Sequence, residues 1–272
     1  MELILASVEC DPAVDIICAP SNVNELFEFR DAIWILPGGF PITRTVFLIL
    51  AIAVIVSAFL FFGLRKKSVV PSKFQTITEG LISFVKDGIA TDIIGPEGAK
   101  YTPWLLSVFL FVLVGNMYEV TPFVNFPVTS RMALPFLLAA ITWVVFLIAG
   151  IRRQGFHYFL GIVWPKSVPV ALRPLVGLIE FFSILVIRPL TLAVRLFANM
   201  VAGHLMLTLL LVSGWVFISA IGDIGLRAGI GVAWFIMGLG IFVFEIVVIV
   251  LQAYIITLLS AVYVQSSLYP EH

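Results

Sequence analysis

The sequence predicts an all-α protein that crosses a membrane five times, with one further helix lying on the membrane surface. Composition is the first reason: 61% of the 272 residues are apolar and 12% are charged, whereas soluble domains average roughly 45–50% and about 25%. The second is that five stretches are apolar and long enough to cross roughly 30 Å of hydrocarbon. The third is the uneven distribution of Lys and Arg among the loops. A soluble fold of this size could not bury so much apolar surface.

The expected crossings fall into two groups by length. The first three are about 20 residues long. Each of the last two is near 40 residues and would be about 60 Å long as one helix at 1.5 Å per residue. Such a helix must tilt or kink, and Pro189 could supply a kink, so we expect a long tilted hairpin. The five expected spans are residues 45–64, 101–121, 132–151, 174–215 and 228–264.

Residues 72–90 are expected to form an amphipathic helix on the cytoplasmic surface of the membrane. Ser72 followed by Gln75 resembles a capping box, and the pair Gly95–Pro96 breaks the chain before the second span. Apolar side chains recur at helical spacing opposite polar ones. The apolar set is Phe74, Ile77, Leu81, Val85 and Ile89, and the polar set is Gln75, Glu79, Lys86 and Asp87.

The basic residues orient the chain. Ten fall in loops on one side: Arg65, Lys66, Lys67, Lys73, Lys86, Lys100, Arg152, Arg153, Lys166 and Arg173. Four fall on the other side: Arg30, Arg44, Arg131 and Arg227. By the positive-inside rule the first set is cytoplasmic. We therefore expect the N-terminus outside, the C-terminus inside, and a location in the membrane.

Residues 1–30 are expected to be an acidic external leader ahead of a single membrane domain, residues 31–272. The leader holds six acidic residues and no basic residue before Arg30, so it does not resemble a signal peptide. Both cysteines of the chain, Cys10 and Cys18, lie in it. Whether they pair with each other is left open by the sequence.

Composition and motifs exclude several functions. The formal charge is zero, so nothing favours a nucleic-acid partner. Two cysteines are too few for a CxxC metal site, and no cofactor is expected. The chain contains no GxxxxGK[ST] motif, so any ATP chemistry must take place in another chain. We accordingly expect a protein that is not itself an enzyme.

Several polar side chains lie in the last two spans, where each charge costs upwards of about 2.5–3.5 kcal/mol at the bilayer centre. Arg195 is hardest to explain structurally, because it lies 22 residues past Arg173 with apolar sequence on both sides. Other members have structural alternatives, namely snorkelling, helix–helix hydrogen bonding or packing. The whole set is Glu180, Arg188, Arg195, Asn199, His204, Glu245 and Gln252.

The polar residues of the hairpin are expected to form two layers. If the chain turns near residue 224, beside Asp223, residues at equal depth have numbers that add to about 448. Arg195 and Gln252 then share an inner layer, and His204 and Glu245 share an outer layer about 13 Å away. Arg195 and His204 face opposite sides of their helix, so one side should meet a partner and the other should line a wet pocket. Glu119 either extends this pocket or, as we favour, is an interfacial carboxylate.

Residues 188–205 (RPLTLAVRLFANMVAGHL) resemble the signature of subunit a of F-type ATP synthases. Residues 244–255 (FEIVVIVLQAYI) resemble the matching segment of its last helix, and residues 71–75 (PSKFQ) resemble the start of its surface helix. The resemblance extends from about residue 30 onward. It implies a static, non-catalytic proton path beside a rotating ring of c subunits, within a complex that includes peripheral-stalk b subunits. A bacterial plasma membrane is the favoured location.

By this resemblance, Arg195 is the cation that faces the ring, and His204 with Glu245 relays protons in the outer half-channel. Asn199 and Gln252 are polar supports, and Glu119 and Glu180 are further candidates. A stand-alone proton-coupled secondary transporter is the main alternative, although no repeat relates two halves of the chain. A membrane anchor is a second alternative, which leaves Arg195 unexplained. The ring size, the direction of coupling and the choice between H⁺ and Na⁺ stay open, although a histidine beside an acid favours H⁺.

Overall fold

A computed structural model describes ten segments of the chain: residues 15–18, 32–35, 41–65, 71–121, 124, 127–155, 157–164, 169–170, 172–219 and 228–269. The expected turn at Asp223 and the sequences on either side of it therefore lie outside the described residues. So do Cys10, Lys66, Lys67, Lys166 and Arg227. The helices are α1 (Arg44–Leu64), α2 (Lys73–Val85), α3 (Thr102–Val120), α4 (Ala133–Gln154), α5 (His157–Val163), α6 (Arg173–Phe182), α7 (Arg188–Ser219) and α8 (Ala228–Leu268).

The predicted all-α class with five crossings is confirmed. Five described helical segments are long and apolar enough to cross a membrane, and their bounds fall within a few residues of the expected spans. Residues 173–219 form one helical run in which α6 and α7 are joined by a π-helical stretch, Ser183–Ile187. The long, mostly apolar runs made these positions predictable, because within lipid a single segment can satisfy its own backbone only as a helix.

The distortion that we expected at Pro189 lies just before it. Pro189 has no N–H, so a helical carbonyl four residues earlier loses its donor. In the structure this carbonyl belongs to the π-helical stretch Ser183–Ile187, which closes where the backbone N–H of Arg188 donates to the carbonyl of Ser183. The helix therefore accommodates the proline with a wide turn and continues through it.

A short pair of antiparallel strands precedes α1 and is the one β-structure among the described residues. Its strands are β1 (Ala32–Ile35) and β2 (Pro41–Thr43), and Trp34 pairs with Ile42. Strands of four and three residues are too short for a clear alternating pattern, which is why the sequence did not predict them. The second strand leads directly into Arg44 at the start of α1.

The predicted surface helix is present, but the prediction of which of its side chains are buried was partly wrong. Helix α2 begins after Ser72, whose hydroxyl accepts a hydrogen bond from the backbone N–H of Gln75, so half of the capping box is confirmed. The Gln75 side chain instead donates to Glu79, 2.7 Å away, and is buried rather than solvated. Thr78 is also buried because it packs against Gly63, where any side chain would collide with it. Helix α2 continues as a π-helix, Lys86–Ile94.

The chain forms two compact units, each built from separate stretches of sequence. Unit 1 comprises Met1–Ala51, Gly115–Arg131 and Ala198–Val250, and unit 2 comprises Ile52–Val114, Met132–Phe197 and Leu251–His272. Unit 2 holds an extensive apolar core, to which α3, α4 and the later part of α8 contribute. Its fully buried large side chains include Ile89, Leu105, Phe146, Leu196 and Ile256.

One end of unit 2 is tied together by polar contacts. Arg153, at the end of α4, forms an ion pair with Glu97 and covers the ring of Tyr269, just after α8. The backbone carbonyl of Ser267 accepts a hydrogen bond from the side chain of Gln154 at 3.1 Å. The hydroxyl groups of Ser267 and Tyr158 are hydrogen-bonded to each other, also at 3.1 Å. The end of α4, the chain before α3 and the end of α8 therefore lie at the same end of this unit.

In unit 1, α7 and α8 run antiparallel along a seam of glycines. A side chain added at Gly203 would meet Glu245, one at Gly214 would meet the backbone of Phe235, and one at Gly231 would meet Phe217. In each case the two residue numbers add to 448 or 449. The contacts confirm the depth register predicted for the outer part of the hairpin, and the glycines explain how the two backbones approach so closely.

Candidate functional site

Arg195 lies on α7 in unit 2, and its side chain is exposed. The adjoining and opposite faces of the helix are packed, since Leu192, Ala193 and Leu196 are buried in the core of this unit. The neighbouring Val194 is exposed, so the guanidinium stands on an apolar helix surface. Among the described residues, none forms a hydrogen bond or ion pair with it. A permanent charge in this setting calls for a partner beyond them.

Gln252, expected in the same layer as Arg195, lies on α8 in unit 2 and is buried. No hydrogen bond joins it to Arg195, and its Nε2 atom has no acceptor within the described part of the chain. A buried amide donor without an acceptor costs roughly 1–3 kcal/mol. The structure thus brings these two residues to the same unit but not into contact.

Unit 1 brings together three buried ionisable side chains, which we call the carboxylate–imidazole cluster: Glu119, His204 and Glu245. Glu119 is 1% exposed, and its Oε1 lies 3.8 Å from Nδ1 of His204. Glu245 is close enough to Glu119 for the two carboxyl groups to interact electrostatically. His204 and Glu245 are each 3% exposed. Glu119, which we favoured as an interfacial carboxylate, is thus carried by α3 into the interior of the unit, beside the imidazole.

The carboxyl groups of the cluster lack the hydrogen bonds that buried carboxyl groups normally have. Both oxygens of Glu119 and Oε1 of Glu245 are buried with no donor in reach among the described residues. Such groups are expensive in a dry interior, and proteins normally satisfy them with donors, bound water or a proton. The arrangement can therefore take up and release protons, and it favours water at the cluster.

Gly203 sets the approach of Glu245 to α7. An ideal Cβ at this position would lie 2.5 Å from Oε1 of Glu245 and 2.6 Å from Oε2. Any side chain larger than hydrogen would displace the carboxylate. The glycine directly before His204 therefore places the acid of α8 against the backbone that carries the imidazole.

Two further residues belong to this polar region. Asn116, one helical turn before Glu119, is fully buried, and Thr129 donates a 2.5 Å hydrogen bond to its Oδ1. Neither Asn116 nor Thr129, which lies between α3 and α4, was among the residues that the sequence predicted for the site. No local pattern could reveal Thr129, since the contact joins residues 13 apart across a chain reversal. Asn199 is partly buried, and its Nδ2 lacks an acceptor in the described part of the chain.

The remaining candidates of the hairpin lie in unit 2. Arg188 donates to the hydroxyl of Ser266 at 2.9 Å and its guanidinium stands over the ring of Tyr263. Arg188 is thus a link between α7 and α8 within unit 2. Glu180 is partly exposed on α6 and lies near enough to Tyr158 to interact with it electrostatically. Within the described segments, no group of three His, Cys, Asp or Glu residues is arranged to hold a metal ion.

Comparison with known proteins identifies the family. The family model described as ATP synthase A chain matches residues 45–265. ATP synthase subunit a of Frankia alni is 41% identical over 214 residues, covering 78% of this chain and 72% of that protein. The subunit a of a Nocardioides species is 35% identical over 235 residues, covering 85% and 83%. That of Streptomyces lividans is 40% identical over 223 residues, covering 81% and 77%. The chain therefore belongs to the ATP synthase A chain family.

Proposed function

We propose that this chain is the static proton-conducting subunit of a bacterial F-type ATP synthase, a membrane subunit without a catalytic site of its own. It would offer two offset half-channels to a rotating ring of c subunits and be held by peripheral-stalk b subunits. The proposal rests on Arg195, whose charged side chain is exposed on an apolar helix surface. A carboxylate on the ring would supply the partner that the described residues do not.

The carboxylate–imidazole cluster is the proposed proton relay on the external side. A proton passes from Glu119, His204 or Glu245 to a carboxylate of the ring. Once neutral, that carboxylate can rotate through lipid at far lower cost than a charged one. After nearly a full turn it meets the cytoplasmic half-channel, where Arg195 favours ionisation and releases the proton. The relay rests on three ionisable groups that are buried close together, and on the oxygens of Glu119 and Oε1 of Glu245, which have no donor among the described residues.

Arg195 also separates the two half-channels. Its fixed positive charge repels protons, so a continuous leak between the two sides is suppressed. Asn199 and Gln252 are proposed as polar supports, since each has an amide nitrogen without an acceptor among the described residues. Water in the half-channels would supply such acceptors. Glu180 remains a candidate for the cytoplasmic half-channel.

The proposed orientation places the N-terminus outside and the C-terminus in the cytoplasm. It rests on the ten-to-four distribution of basic residues and the positive-inside rule. The structure supports a consistent pattern of crossings, because Glu97, Arg153 and Tyr269 come together at one end of unit 2. These residues follow or precede three different spans, all expected to meet the cytoplasm.

The test compares two arginines of the same helix. Arg195→Ala is expected to abolish ATP-driven proton pumping in inverted membrane vesicles, and Arg195→Lys to restore little, because a point ammonium lacks the planar guanidinium. Arg188→Gln is the control, since Arg188 is held by Ser266 and Tyr263 within the chain. It should keep at least half of the pumping rate. The proposal fails if Arg195→Ala vesicles, with the assembled complex present, pump like wild type.

A further inference from the structure

The leader contacts the final helix pair through its backbone, within unit 1. The N–H of Cys18 donates to Oγ of Ser213 at 2.9 Å, and the Ser213 hydroxyl lies 3.2 Å from the carbonyl of Cys18, to which it donates. The indole N–H of Trp234 donates to the carbonyl of Ile16 at 2.9 Å. Cys18 and Ser213 are both completely buried. This segment of four described residues thus has three hydrogen bonds to residues about 200 positions away.

The two anchoring residues lie on different helices at the same level. Ser213 is on α7, directly before Gly214, and Trp234 is on α8, directly before Phe235. Gly214 and Phe235 are in contact across the seam of the two helices. The leader segment therefore crosses this seam and binds one helix on each side of it.

We propose that residues 15–18 form a strap that holds α7 and α8 together, with Ser213 and Trp234 as its anchors. Ile16 and Ile17 have exposed side chains, so burial of these side chains does not hold the strap in place. Cys18 is disulfide-bonded, which adds a covalent restraint next to the Ser213 anchor. The only other cysteine of the sequence, Cys10, lies outside the described residues.

The strap lies beyond the part of the chain that the family model covers. That model matches residues 45–265, which include both anchors but not the strap itself. Along α7, Ser213 is nine residues from His204, or about 14 Å, and along α8, Trp234 is eleven residues from Glu245, or about 17 Å. The strap thus adds to the glycine contacts a second link between the two helices that carry His204 and Glu245 of the carboxylate–imidazole cluster. It keeps the two helices at a fixed spacing beside that cluster.

Hydrogen exchange in the purified complex, followed by mass spectrometry, tests the strap independently of proton conduction. Ser213→Ala removes both bonds to Cys18, so exchange at residues 15–18 should rise about tenfold. Exchange in the neighbouring turns of α7 and α8 should rise with it. Ser219→Ala is the matched control, because among the described residues this exposed serine bonds only to Val216 in its own helix. It should leave exchange at residues 15–18 unchanged.

Two more variants separate the anchors from the disulfide. Trp234→Phe removes one bond and should raise exchange less than Ser213→Ala, while Trp215→Phe, at an exposed tryptophan of α7, should have no effect. Cys18→Ser removes the disulfide but keeps the backbone bonds, so the Ser213 anchor should still protect the strap. The proposal is overturned if residues 15–18 exchange in the wild-type complex as fast as an unstructured peptide, or if Ser213→Ala and Ser219→Ala behave alike. These outcomes do not depend on whether the chain conducts protons.

Discussion

Replacing Gly203 with alanine is expected to impair proton conduction while leaving the complex assembled. The new Cβ would lie 2.5 Å from Oε1 of Glu245, whereas ordinary contact begins near 3.4 Å, so the carboxylate must move by about 0.9 Å (3.4 minus 2.5). The carboxylate is the far end of a flexible side chain and can move without separating the helices. The substitution therefore displaces one member of the carboxylate–imidazole cluster without deleting it.

The size of the effect follows from that displacement. Misplacing a reacting group by about 1 Å can lower a rate about 100-fold, so ATP-driven pumping in inverted vesicles should fall by about tenfold to 100-fold. Alanine is favoured over glycine in a helix by up to about 1 kcal/mol, so the melting temperature of the purified complex should not fall. The complex used for melting is purified from the same membranes that supply the vesicles.

Two other glycines serve as controls for Gly203. Gly240 on α8 has open space around it, so Gly240→Ala should change neither pumping nor melting temperature. At Gly214 an added Cβ would meet the backbone of Phe235 at 2.9 Å. Backbone cannot move aside as a carboxylate can, so Gly214→Ala should destabilise the complex. The reasoning would be refuted if Gly203→Ala assembled normally and pumped at the wild-type rate.

Three further predictions concern the cluster and the topology. Exchanging the two side chains, as His204→Glu with Glu245→His, should restore more pumping than either single replacement, and pumping no better than that of the worse single variant would contradict the relay. Thr129→Val removes the donor to a buried amide, so it should destabilise the complex by about 1–3 kcal/mol, seen as a lower melting temperature; an unchanged value would contradict the contact. In a background without native cysteines, Ser219→Cys should react with an impermeant thiol reagent in sealed cells and Lys100→Cys only after permeabilisation, whereas the reverse pattern would overturn the orientation.

The sequence predicts the spans and the hairpin register well because both depend on local regularity. A long uncharged run has few structures open to it within a membrane. Two uninterrupted antiparallel helices keep depth proportional to residue number, since each residue rises 1.5 Å. The contact of Gly203 with Glu245 therefore could be placed within one residue from an assumed turn, although the turn itself lies outside the described residues.

Features that depend on packing against another helix were predicted less well. Glu119 looked interfacial because it lies at the end of an apolar run, and only the packing of α3 within unit 1 buries it beside His204. Gln75 looked solvated because glutamine is polar. It is buried because Gly63 lets Thr78 of the same helix pack closely, which sets the rotation of α2. Neither partner is visible in the local pattern of the helix concerned.

The proposed role of the carboxylate–imidazole cluster as a relay depends on how its hydrogen bonds are satisfied. Buried polar groups that serve stability have their hydrogen bonds satisfied, because a partly satisfied network costs more than an apolar core. In unit 1, both oxygens of Glu119 and one of Glu245 have no donor among the described residues, so water or a proton would have to satisfy them. Glu119 is also the group that approaches both His204 and Glu245. Because Glu119 is close to both positions, the imidazole and the second carboxyl group could each exchange a proton with it from position 204 or from position 245. We therefore expect the exchanged pair to work where either single replacement does not.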